Sequence, residues 1–402
     1  MNIQLFTLTS SLHDPQALQA STESFLGTLF PQPADYTFRG EDFSAYGSGG
    51  LDVIHVRTGG TEGRFRELLP ALLARSGKAP FILLTSGKNN SLAAAMEILS
   101  FLHKQGLSGE ILHGQTAYIR GRLAELSRIS AARQSLRGKR YGVIGNPSDW
   151  LIASQFDERI IQERLGIELI GLPMEELLST LALTPESSAP IRELADAPAA
   201  VRSAWPEAQR IYFALKAILA AHRLDGCTVR CFDLLSAVGN TGCLALARLN
   251  AEGYVAGCEG DVPAMLSMAL VRSLCGISGF QANPAQIDPD SGEVVFAHCT
   301  IPLDLVTRFS LDTHFESGLG VAIRGHFQEG PVTVFKVSGD LQRHFIAEGS
   351  LLRNPAQNDL CRTQVLVRLT PQAAQSFLTD PIGNHHIILP GHQAEALSAL
   401  LR

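Results

Sequence analysis

The chain has 402 residues, 45% apolar and 18% charged, with a formal net charge of −6. That length exceeds one ordinary core and predicts two or three domains. The acidic balance excludes a general nucleic-acid binder, which needs a basic face for phosphates, and no stretch reaches the roughly 18 apolar residues of a membrane span.

The opening run MNIQLFTLTSSLHD lacks a basic segment followed by a long apolar one, so a cytoplasmic protein without a membrane partner is expected. The first third alternates short apolar strands with amphipathic helices. Residues 51–56 read as a strand and 57–62 as its polar loop; a helix follows over 65–74, with apolar positions at 65, 68, 69, 72 and 73. A second apolar strand at 80–84 leads through Thr85-Ser86-Gly87-Lys88-Asn89-Asn90-Ser91 into an Ala/Leu-rich helix over 92–102. Strand, polar loop and helix in this order predict a parallel sheet with ligands at the strand C-termini. Arg57 and Lys88 follow those strand ends, where they are either solvated or available to an anionic substituent. The Asn89-Asn90-Ser91 run also reads as a helix N-cap.

A second α/β unit begins near Gly138, with a strand at 141–145 and the loop Asn146-Pro147-Ser148-Asp149-Trp150. Residues 184–206, rich in Ala, Pro, Ser and acidic residues, read as an excursion between helices. A strand is expected over 229–235, and Asn240-Thr241-Gly242-Cys243 precedes a helix over 244–249. After about Pro302 the pattern changes to short strands with period-two alternation at 321–327, 331–337 and 363–369, which suits a sandwich or small barrel. The expected domains are 1–138, 139–301 and 302–402. Seven cysteines occur, without a C-x-x-C pair, so reduced and mostly buried thiols are expected in place of structural zinc. Cys227 and Cys231 are read together as one strand segment.

Hard-metal ligand types stand in the second half. Glu259 lies in Gly257-Cys258-Glu259-Gly260-Asp261, His298 ends the expected strand 293–297, and His385-His386 follow Gly383-Asn384. A carboxylate and imidazoles from distant segments meet only through folding, which is how an open metal site is usually built. Asp261, just before Val262-Pro263, reads as a helix cap. His298 in isolation suits a structural role as well as a ligand. The two adjacent histidines point to opposite faces if they lie in a strand, so one can face a site while the other packs.

Six segments together resemble the L-fucose isomerase and L-arabinose isomerase superfamily, in particular its shorter fucose isomerase-like proteins. They are residues 57–62, Asn90-Ser91-Leu92-Ala93-Ala94 with Glu97, residues 147–154, Cys258-Glu259-Gly260-Asp261, Ala297-His298-Cys299-Thr300, and Gly383-Asn384-His385-His386. The resemblance implies two Rossmann-like α/β domains followed by a β-rich domain. It also implies a cytoplasmic trimer or hexamer with sites at subunit interfaces, and aldose–ketose interconversion supported by Mn²⁺ or another divalent cation such as Mg²⁺. On that footing Glu259 is a metal ligand and one acid/base carboxylate, His385 or His386 completes the metal site, and His298 lies beside it. Thr58, Gly59, Gly60, Thr61 and Glu62 would face substrate, and Asn90 and Trp150 join them from their own matching segments.

One position departs from the family pattern. An aspartate is expected in the stretch Phe280-Gln281-Ala282-Asn283, and Asn283 stands there, able to coordinate through its carbonyl oxygen but a poor base. Either Asp288, a few residues on, replaces it as the second catalytic carboxylate, or Asn283 itself serves and the site is weaker for metal. Moving a carbonyl between C1 and C2 passes through an enediolate, whose charge a divalent cation compensates while a carboxylate shuttles the proton. Three readings remain open at this point: a sugar isomerase acting on an ordinary, modified or acidic sugar; an epimerase using the same enolate chemistry; and a non-catalytic sugar-binding protein.

Overall fold

The computed structural model describes residues 2–14, 16–77, 79–187 and 189–401. Two compact units emerge, Met1–Gln134 with Ala399–Arg402, and Ser135–Ser398. No helix among the described residues is long and apolar enough to cross a membrane.

The first unit is a five-stranded parallel sheet. Its order is Tyr36–Gly40, Ile3–Leu8, Leu51–Val56, Phe81–Thr85 and Gly109–Leu112. Side chains alternate along each strand and build a core on either face. Leu5, Val53, Ile82 and Leu84 pack on one side; Phe6, Ile54, Val56 and Leu83 pack on the other. The helices Glu62–Ser76 and Ser91–Lys104 begin where the sequence places them, one to three residues earlier than read. Asn90 does not cap its helix with a side-chain bond. It sits in the left-handed region at φ 56°, following Asn89 at φ 52°, and not in the extended conformation typical of a capping residue.

The second unit holds a four-stranded parallel sheet ordered Glu168–Leu172, Arg140–Ile144, Gly226–Val229 and Val255–Cys258. It also holds a closed, six-stranded antiparallel barrel. Around the barrel run Phe280–Asp288, Glu293–His298, Thr363–Arg368, His344–Arg353, Gly330–Val337 and His386–Pro390. Antiparallel pairing therefore starts at Phe280, before the change of pattern expected near Pro302. The barrel core (Phe280, Phe296, Val334, Val365, Ile388) is continuous with Val201 and Trp205 of the helix Ala199–Ala221 and Leu244 of the helix Cys243–Ala251. That long helix starts within the segment read as an excursion.

The strand expected over 229–235 is a correction. Pairing ends at Val229, and Phe232–Val238 is a helix. Cys227 lies inside the strand, whereas Cys231 is the residue that opens the helix, so the two do not share one strand face. The run read as a strand is divided because it pairs only over Gly226–Val229, opposite Val255–Cys258, and Cys231 then opens the helix.

Candidate metal centre and active site

Glu259 follows the strand Val255–Cys258 and adopts φ 65°, a conformation uncommon for a residue with a Cβ. Gly260 continues the turn at φ 69°. A Cβ there would lie 2.8 Å from Pro147 Cα and 2.9 Å from Asn146 O, so glycine is what lets the 146–150 loop seat against it. Ser148 N then donates to Glu259 O at 3.0 Å, and Trp150 Nε1 donates to Glu259 Oε2 at 2.7 Å. The second carboxylate oxygen, Oε1, faces His385 Nε2 at 3.4 Å and His298 Nε2 at 3.6 Å.

Three ligand atoms, one each from Glu259, His298 and His385, thus lie within 4.8 Å of one another, and all three residues are buried. Barrel register explains the convergence. His298 ends its strand, Asn283 pairs with the preceding Ala297, and Ala282 pairs with His386 at the start of the last strand. The histidines of two separate strands are thereby delivered to one end of the barrel, beside the end of the parallel strand that carries Glu259.

A further layer orients these groups. Asp261 caps the helix Val262–Cys275, its Oδ1 accepting from Ala264 N at 2.9 Å, as the sequence indicates. Its other oxygen takes the Nδ1–H of His385 at 2.8 Å, which leaves Nε2 as the ring atom facing Glu259. His298 is oriented likewise by Thr300 Oγ1, 2.8 Å from its Nδ1. Lys336, 1% exposed, stands 3.7 Å from Asp261 Oδ2, without a hydrogen bond to its ammonium. Burial works against charge on Asp261, but Lys336 and then His385 outweigh it and hold its pKa at about 2. Burial likewise opposes charge on Glu259; the His298 and His385 rings overcome it and keep the carboxyl well below the usual carboxylate range. Burial lowers His385, yet Asp261 and Glu259 carry it up to about 9.

Glu259 and His298 line a small cleft together with Asn283, Thr241, Phe232, His314 and Glu316. Asn283 Oδ1 is buried there without a hydrogen-bond partner, as is His385 Nε2 beside the cleft. An orphaned buried amide oxygen, next to an ionised carboxylate with an imidazole nitrogen 3.4 Å from it, is the arrangement a bound cation would satisfy. One hard carboxylate, one amide oxygen and two imidazoles are a donor set compatible with Mn²⁺ or a similar divalent ion. The residues fit the cation.

Other expected site residues lie elsewhere. Asp288 is not brought to Glu259. It is exposed at the far end of Asn283's own strand, roughly 16 Å away at about 3.3 Å per residue. Its carboxylate closes a hairpin by accepting from Ser291 Oγ at 2.7 Å and from Asp290 N at 3.0 Å. His386 points opposite to His385, into Phe296, Phe345 and Phe377, and its ring donates to Asn384 O at 3.2 Å. Burial, then Lys336, pushes His386 down to about 3, and its ring packs among phenylalanines instead of joining the Glu259, His298 and His385 cluster.

Arg57, Thr58, Gly59, Gly60, Thr61, Glu62, Lys88 and Asn90 belong to the first unit. Arg57 is 8% exposed, bonding Thr22 Oγ1 at 2.9 Å and Thr9 Oγ1 at 3.3 Å, so its cation braces the sheet end. Thr58 and Thr61 are buried; Thr58 Oγ1 accepts from Ser10 N, and Thr61 Oγ1 donates to Thr58 O. Gly59 N donates to Asn89 O at 2.7 Å, which ties the two loops together. Lys88 and Asn90 are exposed, and Glu62 is half-buried.

Comparison with known proteins gives the arrangement a chemical context. Proteins named sulfoquinovose isomerase from Priestia megaterium and Priestia aryabhattai are each 24% identical to this chain over 270 residues, covering 64% of it and 60% of theirs. This chain is their distant homologue. A third sulfoquinovose isomerase, from a Clostridium species, is 26% identical over 227 residues, or 50% of this chain and 48% of its own length. The match thus spans less than two thirds of these relatives. No family model matches the chain.

Sequence reasoning missed Lys336, His314, Glu316 and the orienting role of Asp261. Asp261 carried a visible signal, but its capping function accounted for only one of its two oxygens. Lys336 sits in an alternating strand, where nothing distinguishes a buried ammonium from a solvated one.

Proposed function

We propose that this protein is a divalent-cation-dependent sugar isomerase that interconverts an aldose and a ketose carrying an acidic substituent. The observation that carries the reading is the meeting of Glu259, His298 and His385 within 4.8 Å at a cleft, in a chain whose distant relatives are named sulfoquinovose isomerase. Glu259, His298 and His385 would hold the cation, with Asn283 as a further oxygen donor. When bound, the cation supplies Lewis-acid polarisation of the substrate's carbonyl and hydroxyl oxygens.

The chain's own groups do the rest. Trp150 engages Glu259 Oε2 so that Oε1 stays directed at the histidines, and Asp261 and Thr300 set which imidazole nitrogen faces inward. Glu259 and Glu316 are the carboxylates on the described lining of the cleft. The proton moved between C1 and C2 is assigned to this pair, in place of Asp288. The same lining contains no Lys or Arg, so recognition of an acidic substituent draws on a cation from outside it. The exposed Lys88 in a homo-oligomer with shared sites is our candidate.

The decisive experiment measures turnover of sulfoquinovose with Mn²⁺ for the wild type, Glu259→Gln and Glu316→Gln. Each variant should lose about a hundredfold or more in kcat/KM while melting as a folded protein. Full activity in Glu259→Gln would remove the carboxylate from the mechanism. Asn283, neutral where an acidic ligand is expected, keeps epimerisation as a second reading. Following the reaction by NMR in D₂O separates the two by showing whether the carbonyl moves or only the stereocentre inverts.

A further inference from the structure

Five of the seven cysteines border the same cleft: Cys231, Cys243, Cys258, Cys299 and Cys361. They come from five separate segments, and the chemistry just assigned uses none of them. Cys299 hydrogen-bonds Cys243 and Cys361, and Cys231 and Cys258 form a separate pair. Cys231 Sγ and Cys258 Sγ are 2.9 Å apart, against about 2.05 Å in a disulfide, so closure needs a movement of only about 1 Å. They are 6% and 3% exposed, and both line the cleft.

Their position gives the bond a consequence. Cys258 is the residue immediately before Glu259 and its left-handed turn. Cys231 immediately precedes Phe232, whose ring packs edge-on to Trp150 at 4.9 Å, and Trp150 is the donor to Glu259 Oε2. Drawing the two sulfurs together therefore moves Glu259 from both sides, through its own backbone and through the indole that holds its carboxylate.

We propose that Cys231 and Cys258 form an oxidative modification site whose substrate is a small peroxide, and that the resulting disulfide withdraws Glu259 from the metal centre. One thiol attacks the peroxide oxygen, breaking the O–O bond to give a sulfenic acid and releasing water from hydrogen peroxide. The second thiol attacks that sulfur, forming the S–S bond and releasing a second water. Both cysteines are oxidised and one peroxide is reduced; a dithiol reverses the cross-link. The cross-link itself stands independently, whereas its effect on the cation rests on the reading of Glu259 as a ligand.

The test treats reduced protein with hydrogen peroxide, counts free thiols, maps linked peptides by mass spectrometry without reduction, and titrates Mn²⁺ before oxidation, after it, and after dithiothreitol. The expected result is loss of two thiols per chain, a Cys231–Cys258 peptide, and Mn²⁺ affinity weakened about tenfold or more and restored by the reductant. Cys231→Ser should keep its Mn²⁺ affinity through the same treatment. No cross-link, or one joining Cys243, Cys299 or Cys361, overturns the site. The correct cross-link with unchanged Mn²⁺ affinity overturns its consequence. A reduced protein that never binds Mn²⁺ instead defeats the metal reading, and the peptide map distinguishes that failure from the others.

Discussion

Glu259 combines a left-handed backbone with a buried, ionised carboxylate, and both features cost free energy. A non-glycine residue held in that region costs on the order of 1–3 kcal/mol, and such strain persists where surrounding contacts over-determine it. Here those contacts are Trp150, Ser148 and the two histidines. His385 and His386 show how one peptide unit separates two roles. His385→Ala should weaken Mn²⁺ binding about a hundredfold in calorimetric titration, and should also lower the melting temperature because it strips buried Asp261 of its imidazole partner. His386→Ala should cost roughly 2–4 kcal/mol in urea unfolding because it empties an aromatic cluster, while Mn²⁺ affinity stays near wild type. The alternation of adjacent side chains was legible in the residues. Which ring faced inward was not, since it depends on the side of the barrel that the strand presents.

At the level of single elements, the strand Leu51–Val56 carries two titrating groups that oppose one another. His55 is 2% exposed, and neither ring nitrogen has a hydrogen-bond partner. Burial, then the charge of Arg57, lowers it to about 3. The unfolded chain takes up this proton as pH falls through about 6.5, and the native state resists until about 3. The stability it contributes is therefore complete above about 6.5 and lost as pH falls from there to about 3. Asp52, raised by burial to about 6, has the opposite sign: its contribution is present below about 4 and lost as pH rises through about 6. Urea unfolding from pH 7 to pH 4 should show His55→Leu gaining on the wild type as pH falls. A constant difference across that range would dismiss His55 as a source of acid sensitivity. The strand itself was plain in its apolar run; the two groups' environments were set by helices packed on either face.

For the whole molecule, the site joins residues more than a hundred positions apart in sequence and all in the second unit, so the cation should act as a cross-brace. Saturating Mn²⁺, at about 100 times its Kd, should stabilise the native state by about 2.7 kcal/mol and raise the melting temperature. Ca²⁺, which prefers larger oxygen-only cages, should raise it less. Chelation should reverse the shift, and Glu259→Gln should abolish it. A melting temperature indifferent to Mn²⁺ in the wild type would count against the cation reading as a whole.

Local order along the chain specified much of this protein. Apolar runs marked the parallel strands Leu51–Val56, Phe81–Thr85 and Arg140–Ile144. Period-two alternation marked two barrel strands, whereas the third such run, Ala322–Phe327, pairs with Val306–Asp312 in a separate two-stranded sheet. Short ligand-bearing segments marked Glu259, His298 and the histidine pair. Those signals are local because backbone pairing and side-chain alternation repeat every few residues. Folding settled what no local pattern encodes: that Asp288 caps a remote hairpin, that Asp261 and Lys336 stand behind His385, and that five thiols gather at one cleft. Such relations depend on barrel register and closure, where a shift of one residue would send every side chain to the opposite face.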